Sequence, residues 1–494
     1  MDHILYWNQV ALDANKRDFT PGVHQLQPEQ GGPTLSSRAL AIVHLAMYDA
    51  HAGVRTKEGA TDFPPYLPNL PTPTETINAT AAVSAAALHC LRKLYARQRE
   101  HFDRAYDKIL NGLSGADVKA GEAFGLAVAQ AMLEDRKGDP GAGDSGYDTY
   151  SLSPRHHRPD PANAGQGFHA PFYGEKSKCF AVNKRHGLDA PPDSGSLDYV
   201  KALKQVREKG IASELMGTMP PNCDKRTPDE TLIGLYWAYD GPNEIGTPPR
   251  LYNQILRKIA EARNNSVDNN AKLFAMVNAA MGDAGILAWE QKYKHDLWRP
   301  VLGIREHDTS IGPEAKDSDG SSNINNDCDP TWLPLGAPAS NSNKPNFTPP
   351  FPAYPSGHAT FGAAAFQIIR LWYDKDGIGV TYDSNKLKDN GPDRVWTGPF
   401  VSDELNGVTT DNTGVVRSRH VRSFPRGLWQ MIEENGWSRI YLGVHWSFDA
   451  FALDPSGNPD LSQDKIGGVP LGLKIANDIF AASGSSRAPV KSTV

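Results

Sequence analysis

Tyr354-Pro355-Ser356-Gly357-His358-Ala359-Thr360-Phe361-Gly362 runs directly into Ala363-Ala364-Ala365-Phe366-Gln367-Ile368-Ile369-Arg370-Leu371-Trp372. The second half is an apolar run that predicts a buried helix. The first half is a loop fed by the proline-rich Phe347-Thr348-Pro349-Pro350-Phe351-Pro352-Ala353. A loop that enters a helix through Pro-Ser-Gly-His suits an oxyanion. The first helical amides lack intrahelical acceptors and lie at the positive end of the dipole. Gly357 allows close backbone approach. Ser356 adds a hydroxyl, and His358 a group that moves protons near neutral pH. Taken alone, the same residues read equally well as a cap before a helix.

Outward from this stretch the pattern is helical. Apolar residues at helical spacing predict helices near 2–16, from Leu35 through Met47, and near 77–93, 96–112 and 115–136. Further helices are predicted near 195–208, 228–240, 249–263, 270–297, 401–407, 416–436, 437–453 and 470–482. Residues 138–195 are rich in Gly, Pro and His, with Phe168, Phe172 and Tyr173 as anchors, and are expected to wrap over helices as a surface strap. Residues 305–350 and 374–400 read as loops, and the tail 483–494 as frayed. Period-two runs of β-branched residues are scarce, so the fold class is all-α with long irregular loops. The expected organisation is one unit over 1–494. A helical bundle and its strap occupy 1–194, a second bundle carrying the site 195–482, and a flexible tail 483–494.

The chain has 494 residues, 39% hydrophobic and 22% charged, with a net charge of −6. That composition is globular and soluble, and it lacks the basic tract that nucleic acid would require. No apolar run approaches the roughly 18 residues of a membrane span. The N-terminus shows no secretory signal, so any export is expected to use a route without a recognisable signal peptide. Cys90, Cys179, Cys223 and Cys328 are far apart and form no zinc motif.

Two more stretches carry chemistry. In Trp289-Glu290-Gln291-Lys292-Tyr293-Lys294-His295-Asp296-Leu297-Trp298-Arg299-Pro300, Lys292 and Arg299 are seven apart. One helix would place both on one face, with Pro300 ending it after Arg299. A solvated cationic stripe would look the same. In Ser438-Arg439-Ile440-Tyr441-Leu442-Gly443-Val444-His445-Trp446-Ser447-Phe448-Asp449, His445 sits in an apolar run read as helical. Asp449 lies four residues on, where it could orient the imidazole. A core histidine and a surface arginine are the alternative.

Together the three stretches read Lys-x6-Arg-Pro, Pro-Ser-Gly-His and Ser-Arg-x5-His-x3-Asp. The set resembles the superfamily of vanadium-dependent haloperoxidases and type-2 phosphatidic-acid phosphatases. Blocks such as Leu235-Tyr236-Trp237-Ala238-Tyr239-Asp240-Gly241, Ile245-Gly246-Thr247-Pro248-Pro249-Arg250 and Ile466-Gly467-Gly468-Val469-Pro470-Leu471-Gly472 are similar to the fungal-type vanadium chloroperoxidases in particular. The resemblance implies two four-helix bundles with additional helices, and a vanadate cofactor without haem or flavin. It implies that His445 binds vanadium and that Lys292, Arg299, Ser356, Gly357 and Arg439 hold the vanadate oxygens. His358 would be the acid–base catalyst, and Lys292 would also polarise bound peroxide. Asp240 would pair with Arg439, and Phe351 and Trp289 would line the halide side, Phe351 tilting the pocket toward chloride. The polar insert around Lys316–Asp327 departs from the fungal type.

The implied reaction oxidises chloride or bromide with hydrogen peroxide to hypohalous acid, which halogenates an organic acceptor that need not bind the protein. Two rival readings remain. One is an acid phosphatase with His445 as nucleophile. The other is a non-catalytic oxyanion-binding paralogue.

Overall fold

The computed structural model describes residues 2–20, 27–73, 75–148, 151–307, 328–373 and 393–494. Among them the α-helices are, in order, α1 (His3–Asp18), α2 (Gly32–Lys57), α3 (Ala79–Leu94), α4 (Arg99–Leu110), α5 (Ala116–Asp135), α6 (Tyr173–Lys176), α7 (Leu197–Lys209) and α8 (Pro228–Tyr236). They continue as α9 (Pro248–Ala262), α10 (Val267–His295), α11 (Pro300–Arg305), α12 (Gly357–Tyr373), α13 (Leu428–Tyr441), α14 (Ser447–Ala450) and α15 (Gly468–Ser483). β-structure among the described residues is confined to isolated bridges. The class is all-α.

α10 organises the packing. It is buried along almost its whole length because Ala, Leu, Met, Val and Phe occupy every face. α2 packs on one side and α12 on another, while α12 carries α15 and α13 in turn. By length and composition α10 could cross a membrane, contrary to the sequence expectation. Its whole apolar window is instead covered by neighbouring helices. A buried amide network ties the helices around it. Asn8 of α1 bonds to His44 of α2 (2.9 Å) and Asn253 of α9 (3.0 Å), and Asn253 bonds to Asn278 of α10 (2.9 Å).

Close approach positions the site. A Cβ on Gly472 would lie 2.4 Å from the Thr360 carbonyl oxygen, and one on Gly468 2.5 Å from that of Ser356. α15 therefore lies directly against the first turns of α12, at a distance that only glycine permits.

The strap from 138 to 195 is pinned, not loose. Asp283 of α10 accepts the backbone N–H groups of Phe180, Ala181 and Val182 at 2.5–2.9 Å. The tail, expected to fray, is tied to the same place. Ser492 N donates to the Phe180 carbonyl (2.8 Å), Cys179 N donates to the Val494 carbonyl (2.8 Å), and Lys491 pairs with Asp135.

Three helix predictions are corrected. Residues 401–407 yield only one 3₁₀ turn, Asp403–Leu405. Residues 416–427 are not helical. They lie extended, with Arg422 bridging to Phe400 and forking onto Glu434. α13 starts only after Pro425 and Gly427 (φ 69°), where Asp393 accepts from the Leu428 and Trp429 amides. The predicted helix 437–453 breaks at Gly443 (φ 73°), whose backbone abuts the Gly210 carbonyl. Part of the polar loop 374–400 and the insert around Lys316–Asp327 fall outside the described residues.

Candidate active site

Four segments converge. The end of α10 and the start of α11 bring Lys292 and Arg299. The start of α12 brings Ser356, Gly357 and His358, and α13 brings Arg439. The turn between α13 and α14 brings His445. Lys292, Arg299, Ser356, Arg439 and Asp449 are completely buried, and His445 and His358 nearly so.

Two local readings change. Lys292 and Arg299 do not share a helix. Asp296 adopts a left-handed conformation (φ 48°) that ends α10, and Pro300 begins α11. Proline at the first position of a helix needs no N–H acceptor, so the residue read as a stop is a start. His445 is not helical either. The break at Gly443 turns it inward, and Asp449 reaches it from the first turn of α14.

The proton positions at His445 follow from its neighbours. Nδ1 is 2.7 Å from Asp449 Oδ2, and Nε2 is 2.9 Å from Arg299 Nη1. A carboxylate only accepts and a guanidinium only donates. The ring proton is therefore on Nδ1, and the Nε2 lone pair faces the cationic side. Burial first, then the Arg299, Lys292 and Arg439 charges, hold the imidazole well below its usual range. Asp449 also accepts from Trp446 N (3.0 Å), and its carbonyl accepts from Ser356 N (2.8 Å). One residue thus fixes the His445 ring and the Ser356 loop together.

Lys292 Nζ donates to the carbonyls of Pro352 (2.9 Å), Ala353 (3.0 Å) and Pro355 (2.5 Å). All three ammonium protons thereby clamp the proline-rich loop. Burial, then Arg299, pushes its pKa well down. Arg299 donates to the carbonyls of Phe351 (2.9 Å) and Val444 (2.8 Å), while Nη2 is buried without a partner among the described residues. Burial lowers it to about 9. Arg439 forks onto Asp240 at 2.7 and 3.0 Å, and its Nε is a buried donor without a partner among the described residues. Burial raises Asp449 to about 7.

His358 Nε2 lies 2.5 Å from the Ala238 carbonyl and 3.9 Å from Asp240 Oδ1. It must donate to the carbonyl, which leaves Nδ1 as the acceptor. Burial, then Arg439, lowers its pKa to about 3. The His358 carbonyl is anchored by Asn435 Nδ2 (2.6 Å) and Tyr252 Oη (3.3 Å). Ser356 Oγ caps α12 by accepting from Ala359 N at 3.4 Å.

A cavity of about 120 Å³ opens onto Gly357, His358, Arg439 and His445, while Lys292, Arg299 and Ser356 are not part of its lining. One half carries Asp240, His358, Arg439 and His445. The other is built from Pro33, Trp289, Phe347, Pro349, Pro350, Phe351 and Phe361, with His169 among them. Trp289 and Phe351 pack with ring centroids 4.7 Å apart and their planes tilted by 50°, and the Lys292 ammonium lies 5.0 Å from the Phe351 ring. Sequence reading missed His169, Asn435 and Tyr252. His169 had a signal, the aromatic anchors around it in the strap, but nothing linked that strap to the loop before α12.

Residues 1–179 match the family model of the vanadium chloroperoxidase N-terminal domain, and 272–458 that of the second helical-bundle domain. The vanadium chloroperoxidase of Curvularia inaequalis is 36% identical over 97% of this chain and 89% of its own length. The chain belongs to the vanadium chloroperoxidase family. Solved structures extend the likeness of this vanadium chloroperoxidase homologue at the level of fold. A bacterial vanadium-dependent iodoperoxidase superposes with a TM-score of 0.63 at 20% identity, covering 96% of this chain and 95% of its own. The holo form of a bacterial vanadium-dependent chloroperoxidase gives 0.57 at 15% identity, covering 95% of each chain.

Proposed function

We propose that the chain is a vanadate-dependent haloperoxidase that oxidises chloride or bromide with hydrogen peroxide. Hypohalous acid and water are the products, and hypohalous acid halogenates small organic acceptors. The observation that carries this reading is the unprotonated Nε2 of His445, held by Asp449 on one side and surrounded by buried cations on the other. That is the donor a metal oxyanion needs from imidazole, in the tautomer that a hydrogen-bonded carboxylate fixes.

The residues fit vanadate on physical grounds. Lys292, Arg299 and Arg439 bring three buried cationic side chains against two carboxylates, Asp240 and Asp449. Burial costs such groups heavily unless they are compensated, and the depressed pKa values of Lys292 and Arg299 express that cost. Arg299 Nη2 and Arg439 Nε are donors without acceptors among the described residues. An oxyanion supplies both missing charge and missing acceptors.

Vanadate, when bound, supplies Lewis acidity that activates peroxide without changing oxidation state. His445 would bind the metal through Nε2. Arg299, Arg439, Ser356 and the Gly357 amide would hold its oxygens, and Lys292 would add positive charge while clamping the loop. His358 accepts a proton at Nδ1 from incoming peroxide, with its Nε2–H steadied by the Ala238 carbonyl. Negative charge in the cradle opposes the Arg439 field and raises the basicity of His358. Trp289 and Phe351 keep the halide side dry, which strengthens these electrostatic contacts.

The test is reconstitution of vanadate-free protein with orthovanadate, followed by peroxide-dependent bromination and chlorination of a diketone. Vanadate-dependent turnover, abolished in His445→Ala, is expected. Hydrolysis of p-nitrophenyl phosphate with no halogenation would instead establish the phosphatase reading.

A further inference from the structure

On the apolar half of the cavity, His169 is, among the described residues, the one lining side chain that is neither apolar nor committed to the cradle, Trp289 Nε1 being taken up by the His169 carbonyl at 3.2 Å. Its backbone is fixed on both sides. The His169 amide donates to the Pro350 carbonyl (2.8 Å), and the same His169 carbonyl also accepts from Tyr293 Oη (2.7 Å). The ring lies 6.1 Å from both Trp289 and Phe351, centroid to centroid. Gly32 makes room for it, since a Cβ there would come within 2.4 Å of Cε1 and Nε2.

Thr34, in the first turn of α2, sets the tautomer. Its hydroxyl is completely buried, and its hydrogen bond is to His169 Nε2, at 3.0 Å. A buried hydroxyl proton needs an acceptor, and Nε2 is the one within reach. Nε2 therefore accepts and Nδ1 carries the ring proton. Nδ1 has no hydrogen-bond partner among the described residues. A half-buried imidazole on a wall of proline and phenylalanine thus keeps one N–H uncommitted beside the cavity.

We propose that His169 Nδ1–H is a halide-binding donor on the approach to the site, with Thr34 as the positioning residue that keeps it in that tautomer. The proposal rests on the haloperoxidase reading and adds a specificity residue to it. A halide has a full charge and no directional demand, so one N–H beside the rings of Trp289 and Phe351 can bind it, with the Lys292 and Arg299 cations 5.0 and 4.9 Å from the Phe351 ring centre.

Halide binding is measured by ³⁵Cl and ⁸¹Br NMR line broadening on the full chain with and without vanadate, beside the KM and kcat for each halide. His169→Phe is expected to lower halide affinity roughly tenfold, as loss of a hydrogen bond to a charged group does. KM should rise far more than kcat falls, with vanadate affinity unchanged. His169→Asn, which keeps a donor near the Nδ1 position, should restore most of the affinity. Thr34→Val should weaken halide binding less than His169→Phe. Equal line broadening and equal KM in wild type and His169→Phe would overturn the proposal while leaving the haloperoxidase reading intact. Absence of vanadate-dependent halide oxidation in the wild type would remove that reading instead, and the line widths would still decide whether His169 binds halide.

Discussion

Removing the carboxylate of Asp449 separates two effects that oppose each other at the site. Asp449→Ala deletes the acceptor of His445 Nδ1–H and of Trp446 N, while leaving the main-chain contact to Ser356 available. In the absence of an anion the ionised carboxylate is poorly placed, because burial raises it from 3.8 to about 7. That shift, about 4 kcal/mol for three pKa units, is already net of the Trp446 amide and of the Lys292 and Arg299 charges. Truncation relieves it but leaves the His445 and Trp446 N–H groups without their acceptor, at about 1–3 kcal/mol each, so the vanadate-free variant should unfold within about 3 kcal/mol of wild type near neutral pH. Anion binding should split by ligand type. A phosphate held by the cradle alone gains from the lost negative charge. Vanadate bonded to His445 loses the carboxylate that orients the ring, worth roughly 10–100-fold in affinity. Isothermal titration with orthovanadate and with phosphate measures both. A vanadate Kd raised at least tenfold with a phosphate Kd within about threefold of wild type is expected. Equal shifts for the two anions, or an unchanged vanadate Kd, would refute His445 as the metal ligand.

Other perturbations follow from the same geometry. Asp240→Ala strands the buried guanidinium of Arg439, which should cost about 3 kcal/mol of stability in chemical denaturation. Saturating vanadate should recover part of this in the variant, as a larger rise in Tm than in wild type. Gly472→Ala would press a methyl against the Thr360 carbonyl, and should lower stability by about 1–3 kcal/mol with a visible drop in Tm. Burial holds His44 at about 4. Because its folded pKa lies below the unfolded 6.5, its contribution is full above pH 6.5 and is lost as the pH falls toward 4, by up to roughly 3 kcal/mol. His44→Gln should flatten that part of the stability profile in urea titrations between pH 7 and 4. Asp283→Ala removes the shared acceptor of three strap amides and should expose residues near Phe180 to limited proteolysis.

Most helices were legible because their apolar faces repeat at helical spacing, and α10 and α12 are apolar nearly all round. Errors gathered where one residue overrides such a pattern. The run from Trp437 to Leu453 looks continuous, but Gly443 adopts a conformation that ends a helix, and the close approach of Gly210 that requires it lies over two hundred residues away in sequence. The start of α13 is set by Asp393, a cap no local reading can supply. The residue types of the site were legible from the three motifs. Their attitudes were not. Lys292 turned out to be saturated by three carbonyls, and Arg299 opens a helix instead of closing one. Asn435, Tyr252 and His169 escaped because each acts through contacts with segments far away in sequence.

The double grip of Asp449 has a kinetic corollary. Its carbonyl holds the Ser356 loop and its carboxylate holds the His445 ring, so the spacing between that ring and that loop is set within a single residue. The ordering of these groups is completed when the chain folds, not when an anion arrives. Exchange of one tetrahedral oxyanion for another should then be limited by encounter and release, with no slow rearrangement of the protein between them.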